Sequence, residues 1–305
     1  MIIFSHKSGQ LCNRLFAFAH LIATAERNGL EVVNLSFDEY AQYFASTSQD
    51  IWCRYPLKST KLKSDRLRSF LFLLNRQMVR VLRSFRWRRG WLHEITVADL
   101  PEYSFKEDRY FDLNNEIFVA SLMTRPFVFL FGRFFRDYGA MDLYQPLIRE
   151  YFKPTQSIQQ KVENHISKTR RGRDLLIGVH IRRGDYASYV GGRYFYSFEQ
   201  YRQVMHSLTV SSKNRRLAFL ICSNEEVDLS EFNGLDVISA PGQFVEDLYC
   251  LSLCDYIVGP PSTFSKWASF YGETPLYHIY SINRDVDLSD FKMLSPEVLY
   301  NFAFN

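Results

Sequence analysis

Short apolar runs rich in branched side chains alternate along the chain with longer stretches whose apolar positions recur at helical spacing. Met1 to His6 reads as a first strand. A turn with Ser8 and Gly9 follows, then a helix from about Asn13 to Asn28 with Leu15, Phe18, Ala19 and Ile22 as its apolar stripe. Asn28-Gly29 is a good helix stop, and Glu31 to Leu35 is the next strand, so the chain opens as a βαβ unit. Phe127, Phe129 and Phe131 alternate like a strand and lead to a helix through Tyr144 to Phe152. Beyond Pro154 the order is a helix over 157–167, a strand from Leu175, a loop over 186–196 and a helix over 198–208. Strands at 217–222 and 236–238, a helix at 243–254, a strand at 256–259, a helix at 262–271 and a strand at 275–280 complete it. Such alternation predicts parallel sheets and an α/β fold.

One stretch departs from that rhythm. From Lys58 to Arg89, eleven Lys and Arg residues face the single acid Asp65, while Leu67, Phe70, Leu71, Leu74, Met78, Val81, Leu82 and Phe85 recur at helical spacing. Phe72 and Leu73 widen the stripe. A basic amphipathic helix of this kind either lies on a membrane surface or packs its stripe on its own domain and leaves arginines in solvent.

The chain has 305 residues, which at roughly 100–200 per domain predicts two domains. Lys153-Pro154-Thr155 is the expected linker, with 1–153 as the first domain carrying the 58–89 insert and 154–280 as the second. Residues 281–305 are expected to pack back on the first domain. A composition with 47% hydrophobic and 23% charged residues is that of a globular protein. The net charge of +4 demands no anionic partner. Aromatics interleave with Arg125, Arg133 and Arg136, yet at this charge and without a recognition signature no nucleic acid partner is expected.

Five scattered cysteines without a Cys-x-x-Cys pair point to a reducing compartment and away from a disulfide framework or zinc site. Met1 to Ser5 is too short and lacks the basic leader of a signal peptide, and no stretch reaches the roughly 18 apolar residues of a membrane span. The expected location is the cytoplasm, with 58–89 as a peripheral contact at the inner membrane surface.

Candidate chemistry gathers where predicted strands end. The first half of Leu175 to Asp185 is a short apolar run with the pattern of a strand buried on both faces, and its second half places His180, Arg182, Arg183 and Asp185 where that strand ends. Ligands of open α/β sheets sit beyond the carboxyl ends of strands, and adjacent guanidiniums suit a diphosphate. An ion pair between one arginine and Asp185 is the structural alternative. Gly259-Pro260-Pro261-Ser262-Thr263-Phe264-Ser265 joins a strand to a helix, and offers three hydroxyls and helix-start amides to an anion, or simply a cap. Asp247 has two acceptors for the adjacent N–H donors of guanine, or favours its helix dipole. The loop Ser8 to Arg14 carries neither a dinucleotide fingerprint nor a P-loop.

These residues carry a family resemblance. His180-Ile181-Arg182-Arg183-Gly184-Asp185 resembles the His-x-Arg-Arg-x-Asp motif of the α-1,2-, α-1,6- and protein O-fucosyltransferases. Gly9-Gln10-Leu11-Cys12-Asn13-Arg14-Leu15-Phe16 resembles the amino-terminal stretch of the α-1,2 family, and Asp247 to Asp255 with Ser262 to Trp267 resembles its last two motifs. Phe131 to Phe152 is similar to its aromatic segment. The resemblance implies a GT-B-like α/β fold, two Rossmann-like domains with a cleft between them. It also implies inverting transfer of fucose from GDP-fucose to a glycan acceptor, of α-1,2 type, without metal or cofactor. By position, Arg182 would hold the β-phosphate and act as the catalytic charge stabiliser. Ser262, Thr263 and Ser265 would bind the diphosphate, His180 and Asp247 the guanine, and Gly9 to Asn13 would face the sugar-phosphate. Arg183 joins this donor-binding set, although it and Asp185 look more like shaping residues. Gln10 and Cys12 stand where the family has glycines, and Ala268 where it has a second Trp. No carboxylate follows Asp185 where the α-1,6 enzymes carry their base. Transfer of another GDP-sugar, or silent glycan or nucleotide binding, are the alternatives.

Overall fold

The computed structural model describes residues 1–58, 63–84, 92–96, 110–132, 134–213 and 215–295. Lys61, Phe85, Arg86, Arg88 and Arg89 of the basic stretch, and Arg133 of the aromatic segment, lie outside the described residues. The chain divides into two compact units, Met1–Gln156 and Ser157–Phe304.

In the first unit the elements run β1 (Ile2–Phe4), α1 (Leu11–Asn28), β2 (Val32–Asn34), β3 (Arg54–Tyr55), α2 (Asp65–Ser84), β4 (Leu92–Thr96) and β5 (Phe111–Asp112). Then come α3 (Glu116–Thr124), β6 (Phe127–Phe131), β7 (Phe135–Arg136), α4 (Tyr138–Leu143) and α5 (Gln145–Tyr151). The sheet order is β3-β2-β1-β6-β4, parallel except for the edge strand β3. The chain leaves β1 for one neighbour and returns on its other side, so its topological switch point lies between β1 and β6. α1 opens at Leu11, two residues before the spacing predicts, and ends at Gly29, whose left-handed conformation lets its N–H reach Ala25 and Glu26 carbonyls. It is covered nearly all round: Phe18 meets Phe37, Tyr151 and Phe152 edge-on, and Phe44 closes the same cluster. The aromatic segment is therefore largely core, with Phe127 at its exposed edge.

The second unit runs α6 (Gln156–Thr169), β8 (Leu175–Ile181), α7 (Phe198–Ser211), β9 (Leu217–Ser223), β10 (Val237–Ser239), α8 (Phe244–Ser252), β11 (Tyr256–Gly259), α9 (Thr263–Gly272) and β12 (Leu276–His278). Its sheet is wholly parallel in the order β10-β9-β8-β11-β12. β8 is buried along its length because it is the central strand. Leu175, Ile177, Val179 and Ile181 face α7 through Tyr201, Val204, Met205 and Leu208. The alternate positions face α8, and Gly178 makes that contact close: a Cβ there would stand 2.5 Å from Leu251 Cδ2. Val286 and Phe291 bury in this same core, and Leu276 pairs with Lys292. Residues 281–292 thus stay with the second unit instead of returning to the first, because Val286 and Phe291 are buried in its core. Residues 296–305 lie outside the described residues.

Candidate active site

β8 sits between β9 and β11, and the chain crosses to β9 before it returns to β11. The carboxyl ends of β8 and β11 are therefore the switch point of this sheet, where ligands of open α/β folds bind. Register fixes the neighbours: Tyr256, Ile257 and Val258 pair with Ile177, Gly178 and Val179. His180 to Asp185 and Gly259 to Ser262 consequently leave the sheet side by side. Gly259 is tight against β8, since a Cβ on it would lie 2.9 Å from His180 Cβ.

Tyr186 ties the two exits together. Its hydroxyl donates to the Pro261 carbonyl at 2.7 Å, and its ring lies 5.7 Å from the Arg182 guanidinium carbon. Arg182 Nη2 donates to Asp185 Oδ2 at 2.9 Å, and the Arg182 N–H donates to the Tyr201 hydroxyl. The ion pair foreseen as the structural alternative is thus present. The Asp185 side chain is 57% exposed, so the pair adds little stability and acts mainly to orient the fork. Arg182 itself is only 18% exposed.

The second arginine points elsewhere. Successive residues of an extended chain face opposite ways, and the Arg183 guanidinium lies 4.2 Å from the Phe198 ring centre and 5.0 Å from that of Phe195. Its Nε stands 2.9 Å from Glu225 Oε1 without hydrogen-bond alignment, and its N–H donates to Asn224 Oδ1. Arg183 therefore fastens the exits of β8 and β9 to each other. One guanidinium, not two, is held beside the loop into α9.

At the start of α9 the capping reading is realised, for Ser262 Oγ accepts the Phe264 N–H. Ser265 is fully buried, donates to the Ser262 carbonyl at 3.1 Å and stands 3.3 Å from His278 Nε2. Thr263 carries the partly exposed hydroxyl of the three. His180 stacks on Phe264 with ring centres 5.0 Å apart, and its buried Nδ1 has no hydrogen-bond partner among the described residues. Burial, with the Arg182 charge adding to it, drives His180 down to about 3, so the ring is neutral.

Asp247 lies in the first turn of α8, which Gln243 caps. Its Oδ1 accepts the Gly242 N–H at 2.8 Å, and burial pushes its carboxyl up to about 6 against that hydrogen bond, with Glu246 adding to the rise. Cys222, opposite His180 in the β8–β9 ladder, has its Sγ 3.7 Å from the Asp247 carbonyl oxygen. The ends of β8, β9 and α8 converge there.

The sequence profile of glycosyl transferase family 11 matches residues 81–293, more than half of the chain. The chain belongs to glycosyl transferase family 11. This fucosyltransferase family makes the protein a glycosyltransferase, as the motif from His180 to Asp185 implies. Solved fucosyltransferases share the GT-B-like fold. A mutant of Arabidopsis thaliana FUT1 in complex with GDP matches at TM-score 0.57 and 13% identity, over 95% of this chain and 73% of that one. Fucosyltransferase NodZ from Bradyrhizobium matches at 0.55 and 16%, over 95% and 96%. POFUT1 in complex with GDP-fucose matches at 0.54 and 14%, over 90% and 94%. No curated protein sequence matches the chain.

Within this family 11 glycosyltransferase, Gly9 and Asn13 belong to the first unit, ahead of the profile match. They stand at the exit of β1, beside the switch point of that unit's sheet. Gly9 has a φ of +64°, and a Cβ on it would collide with the Asn13 side chain. Arg14 clamps the turn by donating to the Gly9 and Ser36 carbonyls and to Glu39.

Three residues of the second unit's site went unforeseen: Tyr186, Lys266 and His278. Lys266 is 2% exposed in the opening turns of α9, and burial lowers it to about 7. His278 falls to about 3 through burial, then through the charges of Lys266 and His180. The only signal for Lys266 was a cation inside an otherwise apolar or small-residue helix, Phe264 to Phe270. Among the described residues no group of three or more His, Cys, Asp or Glu is placed to hold a metal ion. None of the described helices is long and apolar enough to cross a membrane.

Proposed function

We propose that this glycosyltransferase moves fucose from GDP-fucose to a glycan hydroxyl with inversion, forming an α-1,2 linkage. The observation that carries the reading is Arg182, held over Tyr186 while Tyr186 bonds the loop that opens α9. A cationic fork and a helix start beside one switch point suit a diphosphate. The acceptor hydroxyl attacks C1 of fucose and releases its proton to solvent, while the C1–O bond to the β-phosphate breaks with its electron pair leaving on GDP. Arg182 and the α9 amides meet the charge that builds on that oxygen, the electrostatic contribution that usually dominates such catalysis. Asp185 gives up its hold on Arg182 as the phosphate arrives. Thr263 reaches the diphosphate, while Ser262 and Ser265 shape the helix start. His180 and Asp247 receive the guanine, and Gly9 to Asn13 face the sugar-phosphate. Solved structures of an A. thaliana FUT1 mutant with GDP and of POFUT1 with GDP-fucose, which share the fold, support a GDP-sugar donor.

The test is an acceptor-glycan array incubated with labelled GDP-fucose and, in parallel, with other labelled GDP-sugars. Label on a 2-hydroxyl of an acceptor glycan, with α-1,2 linkage by NMR, is the expected result. Label from another GDP-sugar only, or GDP-fucose binding without transfer to any acceptor, overturns the reading.

A further inference from the structure

α2 carries two apolar faces, and the one its own unit covers is the smaller. Arg68, Phe72, Asn75 and Val79 point inward. Arg68 donates to the Thr47 and Ser48 carbonyls, Asn75 donates to Ser5 Oγ, and Phe72 packs on Val33 and Leu35. These contacts fix the helix without using its longer stripe. Leu67, Phe70, Leu74 and Met78 recur at three- and four-residue spacing and form one strip about 16 Å long at the helical rise. All four are exposed, Phe70 to 58% and Leu74 to 53%, with Leu73 beside them. Arg66 and Arg80 stand exposed on the Leu73 side of that strip, with Arg76 further round toward the buried face, and no described carboxylate forms an ion pair with them. Asp65, the one acid of α2, is taken by Arg68.

We propose that this face of α2 is a docking surface for an anionic lipid bilayer. The exposed strip enters the boundary between headgroups and acyl chains, and the arginine flank meets lipid phosphates. Charge complementarity selects this occupant. A second copy seated on the strip would bring two arginine rows together, which costs association, whereas an anionic surface gains from every one of them.

The full-length protein is floated with vesicles of phosphatidylcholine alone and with vesicles in which a third of the lipid is phosphatidylglycerol. The parent protein is expected to float with the anionic vesicles at low salt and to lose most of that binding at high salt. Reversing charge in Arg76→Glu with Arg80→Glu should weaken partitioning about tenfold or more. Phe70→Glu with Leu74→Glu should abolish it, and thermal melting equal to the parent's shows that these exposed sites leave the fold intact. A parent that stays in the lipid-free layer, or a Phe70→Glu, Leu74→Glu variant that floats as the parent does, overturns the proposal. So does a parent dimer in sedimentation that the same variant splits, since a second copy would then own the face.

Discussion

Arg182 is held by a ring on one side and a carboxylate on the other, and both contacts restrain its fork where the phosphate is proposed to bind. Lysine at this place keeps the charge but has no planar fork to share between Asp185 and a phosphate, so Arg182→Lys should cost about 10²-fold in kcat. Near-parental turnover in that variant removes Arg182 from the charge-stabilising role. Asp247 makes a second, pH-readable case. Burial raises its carboxyl to about 6, so the folded protein holds more protons than the unfolded chain between the ordinary 3.8 and that value. Its contribution to stability therefore declines as pH rises through that window, yet the charged form it reaches is the one that the proposed guanine contact, two N–H donors side by side, requires. GDP affinity should fall by about tenfold per pH unit well below 6, and Asp247→Asn should bind GDP weakly at every pH. Calorimetric titration of both proteins across that range measures it. An Asn variant that binds GDP like the parent leaves Asp247 with the Gly242 contact alone.

At the scale of elements, α9 is the piece whose chemistry exceeds its pattern. Lys266 lies near the positive end of the helix dipole and is buried with His278 near it, an expensive place for a cation. Its lowered value of about 7 means the unfolded chain binds the extra proton between that pH and the ordinary 10.5. Stability from this group thus increases with pH across that interval and is least at pH 7 and below. Lys266→Met should raise the melting temperature at pH 7 by about 5 °C, and the gain should shrink toward pH 10. A gain that is absent, or constant across pH, contradicts a buried lysine titrating near neutrality. The strands of the second unit were legible in the sequence because a central parallel strand such as β8 is apolar without alternation. Direction was not. Periodicity in α2 locates a stripe without telling which face its unit covers, and Arg68 and Asn75, polar by type, turned out to be the inward anchors. Adjacent arginines read alike in one dimension, while the extended exit of β8 sends Arg183 to Phe198 and Arg182 to Tyr186.

For the whole molecule, two sheets with parallel central strands each offer a switch point, one beside Gly9 and Asn13 and one between Arg182 and Ser262. The groups proposed to meet the nucleotide, His180, Asp247, Arg182 and the α9 start, all belong to Ser157–Phe304. The motif at Gly9 was legible only by resemblance, since its loop lacks any phosphate-binding glycine pattern. Its geometry supplies the missing physical reason for the glycine: a left-handed φ of +64° with the Asn13 side chain against the place of a Cβ. This partition of groups leads to a prediction about how binding and turnover divide. Gly9→Ala forces a non-glycine residue into the left-handed region, at about 1 kcal/mol, and drives its methyl into Asn13. The turn must shift, and Asn13 with it, while every group of the second unit keeps its place. On the proposed assignment, GDP affinity should then stay within about threefold of the parent's, because the groups proposed for guanine and diphosphate belong to the other unit, whereas kcat with GDP-fucose should drop about tenfold as the turn proposed to face the sugar-phosphate shifts. Titration of GDP and single-turnover transfer from labelled donor separate the two quantities. If GDP affinity falls as far as turnover does, the first unit holds the diphosphate as well, and assigning the nucleotide to the second unit alone is wrong.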